Sequence, residues 1–207
     1  TGLVADYVIL PDDGSNVASW TYIETNMQSF ASGYRAQGLV QMLETETETA
    51  DIISDKPSGL TSKCGVFYGG FVYANKAKVP ASVVYAGKQA LQDIQDNGIP
   101  SSIASNKVVD GAISCYPVTF SREDANKLNE KGINCGVTHF GIRTWGGYCS
   151  TYDFSGSTDK DKIFLNTARM VEHIKRQFIA RWHEIIDNGF TRNVKDMILN
   201  KEQSELN

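Results

Sequence analysis

Three histidines and four cysteines are the side chains of this 207-residue chain that come nearest to a catalytic inventory. The run His183-Glu184-Ile185-Ile186-Asp187 stands one residue from the H-E-x-x-H arrangement, in which two imidazoles a helical turn apart bind zinc and the glutamate activates water. Here an aspartate replaces the second imidazole, and His173 lies ten residues back, about 80° round the same helix. An exposed polar face is the better reading. Cys64, Cys115, Cys135 and Cys149 could supply a nucleophile with His139 or His173 as base. Each, however, sits in a strand-like or glycine-rich setting, where a buried thiol is inert. Their separations of 51, 20 and 14 residues contain no C-x-x-C knuckle, which favours reduced core thiols over a zinc site or a disulfide framework. Glu46 and Glu48 would share one side of an extended segment, but two solvated carboxylates are the default for such a pair. Neither G-x-x-x-x-G-K-S/T nor G-x-G-x-x-G occurs, and Pro11-Asp12-Asp13-Gly14 puts acid where a phosphate would sit. A G-x-S-x-G elbow is also lacking. No catalytic group, metal or cofactor is expected.

The elements that must hold these residues alternate between strand and helix. Leu3 to Leu10 is a short apolar run stopped by Pro11, and reads as a buried strand. Val17, Trp20, Ile23, Met27 and Phe30 then recur at helical spacing, so a helix is expected over 16–36. Gly38 to Leu43 reads as a strand, with Glu44 to Thr49 as an extension that separates carboxylates from threonines. Cys64 to Val72 reads as a third strand, and Val79-Pro80 opens a helix to about Gln95 with Pro80 in its first turn. Val108 to Tyr116 is strand-like. Ser121-Arg122-Glu123-Asp124 resembles a capping box for a short helix ending at Lys131-Gly132. Ile133 to Val137 and Phe140 to Trp145 make two more strands, and Thr191 can cap a final helix carrying Val194, Met197 and Ile198.

The clearest element runs from Lys162 to Asp187. Phe164, Ala168, Val171, Ile174, Phe178, Ile179, Trp182, Ile185 and Ile186 fall within an arc of roughly 140°, as a core-facing amphipathic helix requires. Lys175 lies inside that arc. Either its stem packs while the ammonium reaches the helix edge, or it meets a partner subunit or a buried carboxylate. Arg169 and Arg176 are seven residues apart on what this arc makes the outward face, where they could meet acidic groups on another protein. The fold class expected is α/β in the mixed α+β sense: a mixed β-sheet of short strands flanked by helices, with a long amphipathic helix near the C-terminus.

At 41% hydrophobic and 21% charged residues, the chain has the composition of a globular domain able to bury a core without staples, which excludes a disordered tail or a membrane-spanning bundle. Its net charge of -4 hides an asymmetry, since residues 1–60 carry nine acids against two bases. Without a basic stripe, neither nucleic acid nor a membrane surface is an expected partner. The chain starts Thr1-Gly2-Leu3, without an initiator Met or leader, and reads as a piece of something longer.

Five ordered segments resemble the sheath protein of contractile phage tails. Leu128-Asn129-Glu130-Lys131-Gly132-Ile133-Asn134 is similar to that family's L-N-x-x-G-I-N. Phe140-Gly141-Ile142-Arg143-Thr144-Trp145 is similar to W-G-x-R-T, with Phe for the leading Trp. Ile163 to Arg169 is similar to the aromatic-I-N-x-x-R that opens a long helix, and Val79-Pro80-Ala81-Ser82 and Gly98 to Ala112 are similar to two upstream blocks. The glycine-rich Gly146-Gly147-Tyr148-Cys149 and the loop from Asp159 to Lys162 depart from the family pattern, and the small-residue stretch that follows the last helix in the family has no match.

The resemblance implies a mechanical part. Residues 1–120 would form an α/β core part and 121–207 a C-terminal sheath part packed on the same core, or the two would be one continuous domain. Leu128, Asn129, Gly132, Ile133, Asn134, Gly141, Arg143 and Thr144 would be structural motif residues. Gly132 would serve as a C-cap, Asn134 would pin the turn after it, and Arg143 would satisfy carbonyls or a carboxylate inside the fold. Arg169, Lys175 and Arg176 are the candidate partner interface, with the long helix toward the tube or inner shell. The implied partners are other sheath subunits, the tail tube protein and the baseplate, in a virion tail assembled in the host cytoplasm, while the piece itself is expected to be monomeric. A bacteriocin or type VI secretion sheath is the near alternative, and an α/β enzyme with a pocket near His139, Cys135 or His183 the distant one.

Overall fold

The computed structural model describes residues 7–10, 37–60, 64–96, 98–99, 102–156 and 163–186, with 7–10, 176 and 179–186 given by their backbone alone. The helices expected over 16–36 and after Thr191 lie outside the described residues.

Five strands make one sheet in the order β1 (Tyr7–Leu10), β2 (Gln37–Gln41), β3 (Cys64–Phe67), β7 (Ile133–Thr138) and β8 (Ile142–Trp145). The first four run parallel, with Leu39 opposite Gly65 and Val66 opposite Ile133, and β8 returns antiparallel from β7. A parallel sheet must be covered on both faces, and side-chain alternation supplies two apolar faces here. Leu39 and Phe67 point to one, where they pack with Tyr85, Ala81, Phe71 and Leu165. Val66, Ile133, Cys135 and Val137 point to the other, where they pack with Ile52, Phe120 and Leu128. The first face is covered by α2 (Ala81–Gln95), by the start of α4 (Leu165–Ile186) and by an antiparallel three-stranded sheet of β5 (Lys78–Pro80), β4 (Gly70–Tyr73) and β6 (Ala112–Tyr116). The second is covered by α1 (Thr49–Ser54) and α3 (Arg122–Asn129). This is the mixed α+β class expected, with four helices among the described residues.

Four local readings are corrected. Cys64 to Val72 is two strands, because at Gly69 (φ +65°) the chain leaves one sheet for the other; a Cβ there would lie 2.3 Å from the Tyr116 carbonyl oxygen. Glu44 to Thr49 does not extend β2, although Glu44 and Glu46 are half-buried while Thr45 and Thr47 face outward, and α1 begins at Thr49. Phe140 is not in a strand: it has φ +48° in the turn between β7 and β8. Pro80 ends β5 and caps α2 from outside instead of opening its first turn. The Ser121 cap does form, with Ser121 Oγ accepting from the Asp124 amide (3.1 Å).

Candidate functional site

The motif residues converge on the loops at the ends of β7 and β8. Leu128 is fully buried at the end of α3, and Asn129, in the amide orientation its neighbours dictate, donates to the Ile133 carbonyl (2.8 Å). Gly132 follows with φ +71°, and its amide donates to the Asn129 carbonyl (2.9 Å). A Cβ at Gly132 would lie 2.6 Å from the Cys149 carbonyl oxygen and 2.9 Å from that of Tyr152, so steric space as well as φ requires glycine. Lys56 reaches the same place from the end of α1, donating to the carbonyls of Lys131 and Ser150.

Asn134 is the hub. Buried on β7, it donates to the carbonyls of Val66 (3.0 Å) and Tyr148 (3.0 Å) and accepts from the amides of Gly147 (2.5 Å) and Tyr148 (2.8 Å). Four bonds use the whole amide. They pin a turn thirteen residues downstream, not the one directly after Asn134. Gly146 (φ +106°) lies against it: a Cβ there would sit 2.4 Å from Asn134 Oδ1.

Arg143 and Thr144 on β8 clamp two loops. The Arg143 guanidinium donates to the carbonyls of His139 (3.0 Å), Asn106 (3.0 Å) and Phe140 (3.5 Å). It satisfies carbonyls inside the chain, and those of His139 and Phe140 belong to the β7–β8 turn, where Gly141 has φ +101°. Thr144 Oγ1 donates to Ala104 O (2.6 Å) and accepts from the Lys107 amide (3.2 Å).

The long helix differs from expectation. Arg169 is not on an outward face: it is 6% exposed and binds the Asp93 carboxylate of α2 through Nη1–Oδ1 (3.2 Å) and Nη2–Oδ2 (2.6 Å). Gln89 joins the pair by donating to Asp93 Oδ1 (2.9 Å). Leu165 packs over Gly65, whose missing Cβ would lie 2.7 Å from Leu165 Cδ1, and Gln37 donates to the Leu165 carbonyl (3.1 Å). These anchors turn the helix so that Val171, Ile174 and Phe178, expected in the core, are 40%, 57% and 46% exposed. The buried Leu165–Arg169 line and the exposed apolar set are roughly 165° apart at 3.6 residues per turn. Lys175 lies among the exposed set and pairs with Glu172 (3.0 Å) one turn back. Arg176 is given by its backbone alone, so the three candidate interface residues do not form one described surface.

The thiols near these loops are enclosed. All four cysteines are buried thiols outside any disulfide. Burial pushes Cys115 up to about 11 and Cys149 up to about 12, and pushes Cys135 up as well, the reverse of what a nucleophile needs. His139 lies in the β7–β8 turn, edge-on to Phe140 with ring centroids 4.6 Å apart. Among the described residues no three His, Cys, Asp or Glu side chains are grouped to hold a metal ion, and no helix is long and apolar enough to cross a membrane. His183 and Glu184 are given by backbone alone, and Asp187 lies outside the described residues. Sequence reasoning missed Lys56, Gln89 and Asp93. The one hint lay in Gln37 and Gln41 flanking Gly-Leu-Val, since buried strand amides need partners elsewhere in the chain.

No protein-family model and no curated protein matches the chain. Among solved structures, it superposes on the sheath complex of an extracellular contractile injection system, PVC, in the contracted state, with a TM-score of 0.70 and 16% identity over 92% of this chain and 51% of that one. The contracted helical sheath of the anti-feeding prophage matches with a TM-score of 0.65 and 17% identity over 95% of this chain and 54% of that one. The sheath tail protein of Desulfitobacterium hafniense matches with a TM-score of 0.65 and 14% identity over 96% of this chain and 43% of that one. The chain thus spans about half the length of the structures it matches. The fold built by these strands, glycine turns and side-chain clips is the fold found in the sheath proteins of contractile systems.

Proposed function

We propose that the chain is part of a structural, non-enzymatic subunit of a contractile phage tail sheath. It polymerises with its own kind around a tail tube, joins a baseplate, and contracts to drive the tube through a host envelope. The observation that carries this reading is the shared fold over nearly the whole chain, together with ordered motif residues that act as internal clips. Asn134, Thr144 and Arg143 spend their hydrogen bonds within the chain, which suits a body that moves rigidly between two sets of subunit contacts. Residues 1–120 and 121–207 are read as two parts of one continuous domain, because β7 and β8 extend the sheet begun by β1 to β3. Its partners are sheath subunits, tube and baseplate, with neither nucleic acid nor membrane, in a virion tail assembled in the host cytoplasm. A second reading, the sheath of a related contractile machine, is favoured by the likeness to the PVC and anti-feeding prophage structures.

Electron microscopy of the complete gene product tests the class. Tubular polysheaths are expected, and a monodisperse particle at high concentration under assembly conditions would overturn it. Capsid genes beside the gene separate a phage tail from an injection machine.

A further inference from the structure

Lys56 differs from other lysines of the chain in what holds its nitrogen. Four of the other described lysines face carboxylates: Lys88 binds Asp110 (2.8 Å), Lys127 binds Glu123 (3.3 Å) and Asp124 (3.2 Å), Lys131 binds Asp153 (2.9 Å), and Lys175 binds Glu172 (3.0 Å). A carboxylate at such a distance keeps an ammonium charged. Lys56, half-buried just past α1, meets two neutral carbonyls instead, Lys131 O and Ser150 O (2.5 Å). The charged groups that face it are Lys131, beyond the end of α3, and Asp153 in the loop before α4. Both oxygens of Asp153 are already bonded by Lys131 (2.9 and 3.0 Å).

The number of acceptors matches one protonation state. An ammonium carries three N–H donors and a neutral amine two. With two carbonyls present, the neutral amine has a partner for each hydrogen, and its lone pair takes the remaining tetrahedral position. An ammonium would be left with a third N–H that has no acceptor among the described residues, beside the positive charge of Lys131. Burial, the largest influence on this group, lowers it from 10.5 to about 8. At pH 7.5 roughly a quarter of Lys56 is then neutral, against about 0.1% of an ordinary lysine.

We propose that Lys56 is a nucleophilic amine and a site of covalent acylation by small activated acyl donors. Nζ attacks the acyl carbon, the C–N bond forms as the bond to the leaving group breaks, and one amine proton is released with that group. The resulting amide has one N–H where the amine had two. Either the Lys131 or the Ser150 carbonyl therefore loses its donor, and acylation opens the tie that joins the end of α1 to the end of α3 and to the loop before α4. This inference is independent of what the chain assembles into.

The test uses the complete gene product and trace acetic anhydride over about pH 6 to 10. The chain is then unfolded and its remaining amines saturated with the deuterated reagent, so that mass spectrometry reads the rate at each lysine. Lys56 should label at least ~5-fold faster than the exposed Lys76 at pH 7.5, and should reach half its plateau rate near about pH 8. A rate at or below that of Lys76 overturns the proposal, whether because the amine is charged or because it is sealed. Acetyl phosphate and an acetyl thioester, each supplied alone, tell which donor reaches the amine, and labelling of Lys56 by neither also overturns it. In protein acetylated at Lys56, the Gly132, Tyr152 and Phe154 amide hydrogens should exchange ~10-fold faster, the equivalent of one lost hydrogen bond. Unchanged protection there would refute the opening of the tie.

Discussion

Arg169 and Asp93 meet through two side-by-side hydrogen bonds, Nη1–Oδ1 at 3.2 Å and Nη2–Oδ2 at 2.6 Å, and this pair joins α4 to α2. Both side chains are largely enclosed, at 7% and 15% exposure. Enclosed charges of this kind are costly when one loses the other and far less so when both are replaced. Asp93→Asn should therefore destabilise the fold by about 3 kcal/mol, while Asp93→Leu with Arg169→Met should recover most of the loss. Urea denaturation with hydrogen exchange on 165–175 reads both. Equal loss in the single and double variants would mean that the pair only fills space.

Asn134 and Gly146 should behave as one unit. Asn134→Ala removes four hydrogen bonds, two of them fully buried, and should cost about 3 kcal/mol or more. Gly146→Ala places a Cβ 2.4 Å from Asn134 Oδ1 at φ +106° and should be similarly damaging. Because the first change removes the atom struck by the second, the double variant should lose less than the sum. A double-mutant cycle by chemical denaturation checks this, and strict additivity would separate the two residues.

Lys56 gives stability an alkaline dependence. Burial lowers its ammonium from 10.5 to about 8, against the upward pull of Asp153, with Lys131 adding to the fall. Between those values the unfolded chain holds a proton that the folded chain has released, so this group's contribution rises with pH through that window. Lys56→Met leaves the Lys131 and Ser150 carbonyls without their donor and should cost about 1–3 kcal/mol at pH 7. The deficit relative to wild type should widen between pH 8 and 10, by up to about 1.4 kcal/mol per pH unit. A deficit that shrinks over that range contradicts the assignment.

What could be read from the residues was local. The Ser121 cap, the Gly132 stop and a helix running to about Gln95 follow from side chains near in sequence, and the structure has all three, the helix starting just after Pro80. The six residues of α1 are too few for a periodic signal, and the Gly69-Gly70 pair inside an apolar run marks a bulge or a close approach as readily as a change of sheet, so neither that helix nor the switch between sheets was legible. The apolar stripe of α4 was legible, but a wheel gives the stripe without saying what it faces. Lys175 in its midst was the sign that it did not face the core: an exposed lysine fits a solvent-facing stripe. Likewise, the partner of Asn134 thirteen residues on is a tertiary fact that no spacing rule contains.

The start of α4 packs over Gly65 near the beginnings of β3 and β7, while the turn bearing Phe140 follows the end of β7. Tension applied between those two points would run along the covalent chain of β8 to Gly147, whose carbonyl accepts from the Leu165 amide (2.8 Å), so the strand itself would carry the load and not the hydrogen bonds between strands. A domain wired this way is stiffest along its strands.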